Sequence, residues 1–326
     1  WAGSSITTGH YNTLLGYAAG GKLTTSTKNV AVGHGALYGH ATQATTSTGN
    51  VAIGMGAMNL TSGANNNTAI GMGALSGAAA GMQGDSNVAI GLSALGNATD
   101  PYDTVAIGNY AGYDVTTAFQ NTLVGYYAGG NIVTGSNNTV MGNSAMRTLV
   151  SGRRNTAVGE SVLYDALGSY NVAMGYYAGF DLTSGEDNVI VGYRAGYAGG
   201  TMMGCVYVGR EAGFTNTGNY CTFIGQGAGY YADGMDESTI IGQRAGWAIQ
   251  GDENVAVGTY ALSGHATQAT DSEANVAIGF AAMMVASGAA SNTAVGQGAL
   301  SGSAAGMTGG GNVAIGQDNV GSLGAK

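Results

Sequence analysis

The two cysteines of the chain are the residues whose chemistry would be easiest to recognise. Cys205 and Cys221 stand sixteen positions apart, and the sequence contains no third thiol. Two thiols can form a disulfide in an oxidising compartment, or they can stay reduced as small buried side chains. Which of these applies depends on whether the fold brings the two residues together.

Pairs of acidic residues offer a second kind of chemistry. Asp236 with Glu237 and Asp252 with Glu253 recur at the same sixteen-residue interval. Carboxylates that lie close together repel one another unless a cation intervenes, and Ca²⁺ prefers oxygen ligands. These four residues are therefore a weak calcium candidate, and a solvated acidic edge is the alternative interpretation.

The sequence gives little support to an enzyme or a nucleotide-binding protein. GYAAGGKL, residues 16–23, approaches a phosphate-binding loop, but Leu23 stands where a Ser or Thr should contact Mg²⁺. The histidines have no Ser or Cys nucleophile beside them in the repeat described below. We expect no catalytic residue, no resident metal and no cofactor.

Composition excludes two further classes. The net charge is −9 with nine Lys and Arg residues, which argues against binding to a nucleic acid. No apolar run approaches the roughly 20 residues that span a bilayer, so we expect no membrane span in this segment. Glycine contributes 61 of the 326 residues without a Gly-X-Y period, which predicts a folded chain with many tight turns.

One short unit repeats along the whole chain. Eighteen glycines, here called the marker glycines, recur at intervals of mostly 16 or 17 residues, with four longer intervals of 20 or 21. In most copies Asn stands four positions before the marker, Thr or Val three before, and an aliphatic residue directly before. The marker glycines are Gly16, Gly33, Gly54, Gly71, Gly91, Gly108, Gly125, Gly142, Gly159, Gly175, Gly192, Gly209, Gly225, Gly242, Gly258, Gly279, Gly296 and Gly316.

This unit predicts an all-β fold, a parallel β-solenoid or β-roll. A β-branched segment followed by a Gly-rich turn is typical of a strand, and its return every 17 residues makes each unit one coil. Like positions of about 18 coils should then stack at about 4.8 Å. The extra residues of the four longer coils should bulge outwards without disturbing the stack.

Stacking assigns structural roles to whole columns of residues. The Asn column should form one file in which the amides bond from coil to coil, although Asn also favours the turn before a strand. Cys205 and Cys221 occupy this column in consecutive coils and should be neighbours. The marker glycines should have a positive φ or no space for a Cβ atom. Representative members are Asn50, Asn67 and Asn87, Gly54, Gly71 and Gly91, and the aliphatic Ile53, Ile70 and Ile90.

Each strand is apolar on both sides. The aliphatic column faces one way and the Ala column, two positions before the marker, faces the other, because strand side chains alternate. We expect the aliphatic side to fill the coil and the Ala side to lie outside, where small side chains let another chain approach. This predicts self-association, as a trimer or end to end in a filament, and an uncovered Ala surface is the alternative.

An aromatic column adds a candidate binding surface. Five successive coils place a ring five positions after the marker, and the rings should stack. Exposed, such a ladder could bind a glycan or a cell-surface receptor. The ladder alternates with Leu in other coils, which favours a buried position instead. Its members are Phe180, Tyr197, Phe214, Tyr230 and Trp247.

A second, longer period lies above the coil. Residues 31–91 match residues 256–316 at 42 of 61 positions, and the heptapeptide GHATQAT occurs at both 39–45 and 264–270. We therefore interpret residues 1–326 as a single repetitive segment with a 225-residue, thirteen-coil cassette at 33–257. A partial second cassette follows at 258–316, and 317–326 is interpreted as a cap or junction.

The repeat resembles those of two related groups of proteins. NVAIGMGAM at 50–58, NTAIGMGAL at 67–75 and NTAVGQGAL at 292–300 are similar to coils in the heads of trimeric autotransporter adhesins. They are also similar to repeats in the shafts of phage tail fibres and bacterial surface proteins. The resemblance implies a left-handed parallel β-roll, commonly trimeric, that serves in attachment.

These observations favour a structural role over a chemical one. We expect an extracellular fibre or filament segment, a rigid rod with an adhesive or self-assembling role, on a secreted protein, cell surface or virion. A receptor-binding phage tail fibre or a trimeric adhesin head is the alternative. An ice-binding solenoid is a third class, but Val interrupts the Thr column that it would need.

Overall fold

The fold was analysed in a computed structural model, which describes residues 1–39, 46–77, 81–264, 270–285, 288–302 and 309–317. The described residues contain strands and turns and no helix. The chain divides into two compact units, Trp1–Leu167 and Gly168–Lys326. Both units are parallel β-solenoids, so the predicted all-β fold is confirmed.

The described residues of the first unit contain nine strands, one in each coil. Each has three residues and pairs in parallel with the strand of the next coil, so that Thr68, for example, lies opposite Val88. The strands are β1 (Thr13–Leu15), β2 (Val30–Val32), β3 (Val51–Ile53), β4 (Thr68–Ile70), β5 (Val88–Ile90), β6 (Val105–Ile107), β7 (Thr122–Val124), β8 (Thr139–Met141) and β9 (Thr156–Val158).

The second unit repeats this arrangement with nine stacked strands and a separate two-stranded sheet formed by β15 and β17. The stacked strands are β10 (Val172–Met174), β11 (Val189–Val191), β12 (Val206–Val208), β13 (Thr222–Ile224), β14 (Thr239–Ile241), β16 (Val255–Val257), β18 (Val276–Ile278), β19 (Thr293–Val295) and β20 (Val313–Ile315). The small sheet consists of β15 (Ile249–Gln250) and β17 (Thr270–Asp271).

The longer coils do not disturb the stack, as predicted. Val30 pairs with Val51 across an interval of 21 residues, and Thr293 pairs with Val313 across an interval of 20. The extra residues of all four longer coils lie partly outside the described residues, as do most of the GHATQAT repeat and residues 318–326 of the expected cap.

The orientation of the strands corrects our expectation about the two faces. The Ala column points into the coil, where Ala52 and Ala69 are completely buried. The aliphatic column points outwards, with Ile53 38% and Ile70 37% exposed. The coil is so narrow that a β-branched side chain on every strand would overfill it, and Ala leaves room for the residue on the opposite turn.

That opposite residue stands four positions after the marker glycine and completes the core. Leu or Met is the usual occupant, and Leu75 and Met58 are fully buried. Where the strand contributes a larger inward residue, this position is glycine in six of seven coils, the exception being Val140 with Met146, and glycine also stands opposite Ala106 and Ala173. The six such pairs are Leu14 with Gly20, Leu123 with Gly129, Ile190 with Gly196, Tyr207 with Gly213, Phe223 with Gly229 and Ile240 with Gly246.

The marker glycines satisfy both predicted conditions. Gly54 has a φ of +130°, and a Cβ atom there would lie 2.6 Å from the carbonyl oxygen of Gly71 in the next coil. Gly71 stands in the same relation to Gly91, at 2.5 Å. Backbone approaches backbone at this column, so only a residue without a side chain fits.

Replacing a marker glycine should therefore destabilise the chain far more than replacing a glycine two positions away. We expect Gly54→Ala to lower the free energy of unfolding by about 2–4 kcal/mol, as measured by denaturant titration. Gly56→Ala is the matched control, because nothing lies within 4 Å of its Cβ and Ala18 adopts the same turn conformation. Equal losses in the two variants would contradict the steric explanation.

The paired core positions generate a second prediction. Phe223→Ala should cost about 3–5 kcal/mol by leaving a cavity. Adding Gly229→Leu should recover a large part of this loss, because the double variant recreates the pairing of Ala69 with Leu75. Gly229→Leu alone should destabilise, since its Cβ would lie 2.5 Å from the Phe223 ring. Thermal unfolding of the three variants tests the idea, and a double variant no better than Phe223→Ala would refute it.

Candidate functional site

The Asn column forms a continuous hydrogen-bonded ladder over several coils. Asn67 donates from Nδ2 to Oδ1 of Asn50 at 3.3 Å, and Asn87 donates to Asn67 at 3.0 Å. Each Oδ1 also accepts the backbone N–H of the next Asn, at 2.9 Å for Asn50 and 2.8 Å for Asn67. The second Nδ2 hydrogen of Asn50 goes to the carbonyl of Ala64 in the turn, at 2.8 Å. The amide therefore links coils and closes the turn, so the two interpretations of this column apply together.

The two cysteines occupy this ladder as substitutes for Asn. The Cys205 sulfur accepts the backbone N–H of Cys221 at 3.4 Å, and the Cys221 thiol donates to the carbonyl of Met235 at 2.9 Å. Both are buried free thiols in this structure. A hydrogen bond from Cys221 lowers the pKa of Cys205 to about 7 against the effect of burial, and the same bond together with burial raises the pKa of Cys221.

The outer side of the strands is an exposed apolar surface, here called the strand face. It consists of the residues three positions before and directly before each marker glycine. Over eighteen strands these 36 positions hold Thr, Val, Ile, Leu or Met and no charged residue. The face continues into the next turn, where Met55 and Met72 are 54% and 48% exposed.

The aromatic column forms a stacked ladder, but not in the buried position that we favoured. Its ring centroids are 5.4, 5.2, 4.7 and 4.5 Å apart in sequence order, with nearly parallel planes. All five side chains are half-buried on the surface of the second unit. In these five coils the Leu position holds glycine instead, and in four of them a bulky inward residue stands opposite that glycine. The ladder consists of Phe180, Tyr197, Phe214, Tyr230 and Trp247.

Arginines flank these rings, which the sequence alone did not reveal. The guanidinium of Arg194 lies 4.8 Å from the ring centre of Tyr197 and 4.7 Å from that of Phe214. Arg244 lies 4.8 Å from the ring centre of Trp247. Because Arg194 is almost equidistant from two stacked rings, it covers the side of the ladder. The spacing of three positions between Arg and ring within one coil was the available signal.

The acidic turns lie in neighbouring coils, and backbone N–H groups donate hydrogen bonds to two of their carboxylates. The Asp252 carboxylate accepts the backbone N–H of Asp236 at 2.8 Å, and the Asp236 carboxylate accepts that of Asn219. Glu237 and Glu253 are exposed. Within the described residues, no group of three or more His, Cys, Asp or Glu side chains is arranged to hold a metal ion.

The remaining sequence candidates belong to the architecture. Gly16 is a marker glycine, Gly20 is a core position beside Leu14, and Leu23 is buried, so GYAAGGKL is part of an ordinary coil. His40 and His265, the two histidines of the repeated heptapeptide, lie outside the described residues. The described part of the chain contains no helical segment with the length and hydropathy of a membrane span.

Comparisons with known proteins return no relative. The sequence matches no protein-family model and no curated protein, and no solved structure matches the chain.

The Asn ladder yields a prediction about stability. Asn67→Ala removes the acceptor for both the backbone N–H and the Nδ2 of buried Asn87. We expect a loss of about 3 kcal/mol or more in the free energy of unfolding, and faster hydrogen exchange at the Asn87 amide. Asn67→Ser is the control, because Ser238 in the same column accepts the N–H of Asn254 at 3.0 Å. Ser should lose clearly less than Ala, and equal losses would show that the acceptor is unimportant.

Proposed function

We propose that this chain is a structural, self-assembling segment of an extracellular fibre. The observation that carries the proposal is the exposed strand face. Parallel sheets are normally covered on both sides, because their strands are apolar on both sides. Here the Ala side is covered by the coil itself and the Ile, Val and Thr side is uncovered in the single chain.

The size and composition of the strand face favour a second copy as the cover. Nine strands at about 4.8 Å, each about 10 Å long, give about 430 Å² of nearly flat surface in each unit. The largest apolar patch of a typical monomer is about 300–600 Å², and a stable interface buries about 800 Å² on each partner. The face lies near the middle of the first range and would supply about half of the second area. The turns at both ends of the strands must supply the rest.

Support for an extracellular location and an adhesive role comes from the resemblance of the repeats to adhesin heads and tail-fibre shafts. A phage tail fibre or a trimeric adhesin head therefore remains the alternative, and a virion-attachment or chaperone domain in the parent gene would distinguish the phage fibre. The half-exposed aromatic ladder is the candidate adhesive surface. Because its rings stack on one another, it presents ring edges more than ring faces to a ligand.

The outward direction of the Thr column also bears on the ice-binding alternative. Thr occupies eight of the eighteen positions in that column and Val occupies ten. The Thr and Val side chains therefore form a regular outward column, but only eight of its eighteen positions carry the hydroxyl group of Thr. Absence of thermal hysteresis in dilute solution would exclude this alternative.

A charge placed on the strand face should disperse the assembly without unfolding the chain. We expect Ile70→Lys to shift the protein from oligomer towards monomer, since a buried unpaired ammonium group is costly at an interface. Light scattering after size exclusion gives the mass, and electron microscopy of the same samples shows whether wild type forms filaments. Gln83→Lys, on an exposed turn of the next coil, adds the same charge as a control.

The outcome is read from three comparisons. Wild type and Gln83→Lys should have the same mass, above that of the 32.2 kDa monomer. Ile70→Lys should be smaller with an unchanged circular dichroism spectrum. A wild type that is monomeric at micromolar concentration would refute self-assembly for this segment.

A further inference from the structure

Opposite charges stand at the two ends of the same strand. For each coil, the leading corner comprises the residues six and five positions before the marker glycine, and the trailing corner comprises the residues one and two positions after it. In the coil of Gly192 the leading corner holds Glu186 and Asp187 and the trailing corner holds Arg194. The carboxylates are exposed and Arg194 is half-exposed.

A second coil of the same unit has the same arrangement. In the coil of Gly242 the leading corner holds Asp236 and Glu237 and the trailing corner holds Arg244. Glu237 and Arg244 are exposed. In other coils with an acidic leading corner, those of Gly91, Gly108, Gly258 and Gly279, the trailing corner carries no charge.

The first unit contains the same relation with the signs reversed. In the coil of Gly159 the leading corner holds Arg153 and Arg154, and the trailing corner holds Glu160. All three side chains are exposed. A simple preference of one corner for acidic residues would not produce this reversal, whereas a requirement for opposite charges would.

Within one chain the two corners cannot satisfy one another. Six residues, 188–193, lie between Asp187 and Arg194 in the same coil. The extended part from Asn188 to Gly192 alone corresponds to about 16 Å. Among the described residues, the ion pair of the second unit joins two neighbours on one corner, Arg210 and Glu211, at 3.5 Å. Arg194 and Arg244 have no carboxylate at ion-pair distance among these residues and lie against aromatic rings instead.

We infer that the trailing corner of one copy contacts the leading corner of the same coil in the next copy. This inference rests on the proposed function, in which copies cover the strand face, and it specifies how they are arranged. Within the second unit, copies related by rotation about an axis parallel to its stack run in the same direction and keep each coil level with its counterpart. The contact is then heterologous, so that one edge of each copy meets the other edge of its neighbour.

Other registers fit the charges less well. A shift by one coil towards the C-terminus would leave Arg194 beside Met203 and Gly204, which carry no charge, and would keep an opposite charge only for Arg244, beside Asp252 and Glu253. A shift by one coil in the other direction would place both Arg210 and Glu211 beside Glu186 and Asp187, so that attraction and repulsion offset one another. Within the second unit the unshifted register joins opposite charges in the coils of Gly192 and Gly242 and places no like charges together. Within the first unit it joins opposite charges in the coil of Gly159.

A charge-reversal experiment tests both the contact and its register. Arg194→Glu should raise the midpoint concentration of assembly by about tenfold, and more at low salt. Adding Asp187→Arg should restore wild-type assembly, because the opposite charges are then exchanged within one coil. Glu211 and Arg154 show that both replacements suit these positions, since they occupy the same columns at φ values of 56° and 58°.

The matched control places the compensating charge three coils away. Arg194→Glu with Glu237→Arg has the same net charge as the rescued variant and alters the equivalent position, where φ is 49°. It should assemble no better than Arg194→Glu alone, and worse to the extent that the contact of Glu237 with Arg244 of the next copy is also lost, as measured by light scattering over a dilution series. Circular dichroism and unfolding midpoints of every variant check that the fold is intact.

The outcomes separate this inference from the proposed function. No effect of Arg194→Glu, or equal rescue by both second substitutions, would overturn the in-register contact. Rescue by Glu237→Arg alone would replace it with a contact shifted by three coils. In each of these cases a dispersed Ile70→Lys variant would leave self-assembly through the strand face standing, whereas a monomeric wild type would remove both proposals.

Discussion

The close contact of backbone with backbone at the marker glycine is the constraint on which the structure depends. Consecutive coils lie at the spacing of a parallel β-ladder, and a Cβ atom at Gly54 would collide with the next coil. Every other position is then fixed in a column with a constant environment. A residue is therefore selected less by its sequence neighbours than by the residues 16 or 17 positions away. This explains why Asn can return fourteen times in eighteen coils while the turn residues vary.

The columns could be predicted from the sequence, but their direction could not be predicted from composition alone. Alternation correctly placed Ile53 and Val51 on one side of the strand and Ala52 on the other. The general rule that large aliphatic residues are buried then gave the wrong side, because it takes no account of how narrow the coil is. Covariation contained the answer: Phe223 coincides with Gly229, and Ala69 with Leu75. Two positions that exchange volume in this way must share one core.

The aromatic ladder was misplaced for the same reason. The coils of the ladder do lack Leu at the core position, but Leu and the rings occupy adjacent positions of the turn. Leu, four positions after the marker glycine, points into the coil, whereas the ring at the next position lies at the surface. Glycine at the inner position makes room for Tyr207 or Phe223, while Phe214 and its neighbours remain at the surface with Arg194 beside them. The Cys205 and Cys221 pair was placed correctly as stacked neighbours, because it depends on the column alone. Their thiols reproduce the hydrogen bonds of the Asn that they replace.

A stacked fold separates stability from assembly in a way that a compact fold does not. The inward columns and the Asn ladder hold each coil to the next and tolerate few residue types, whereas the corners at the ends of each strand vary freely. If the two corners varied independently, opposite charges in the same coil would need no common cause. Yet the leading and trailing corners hold Asp187 and Arg194 in one coil, and the reversed pair, Arg154 and Glu160, in another. Within one chain these corners are too far apart to interact. A second copy whose coils lie level with those of the first would bring the two corners together, and would therefore favour opposite charges on them.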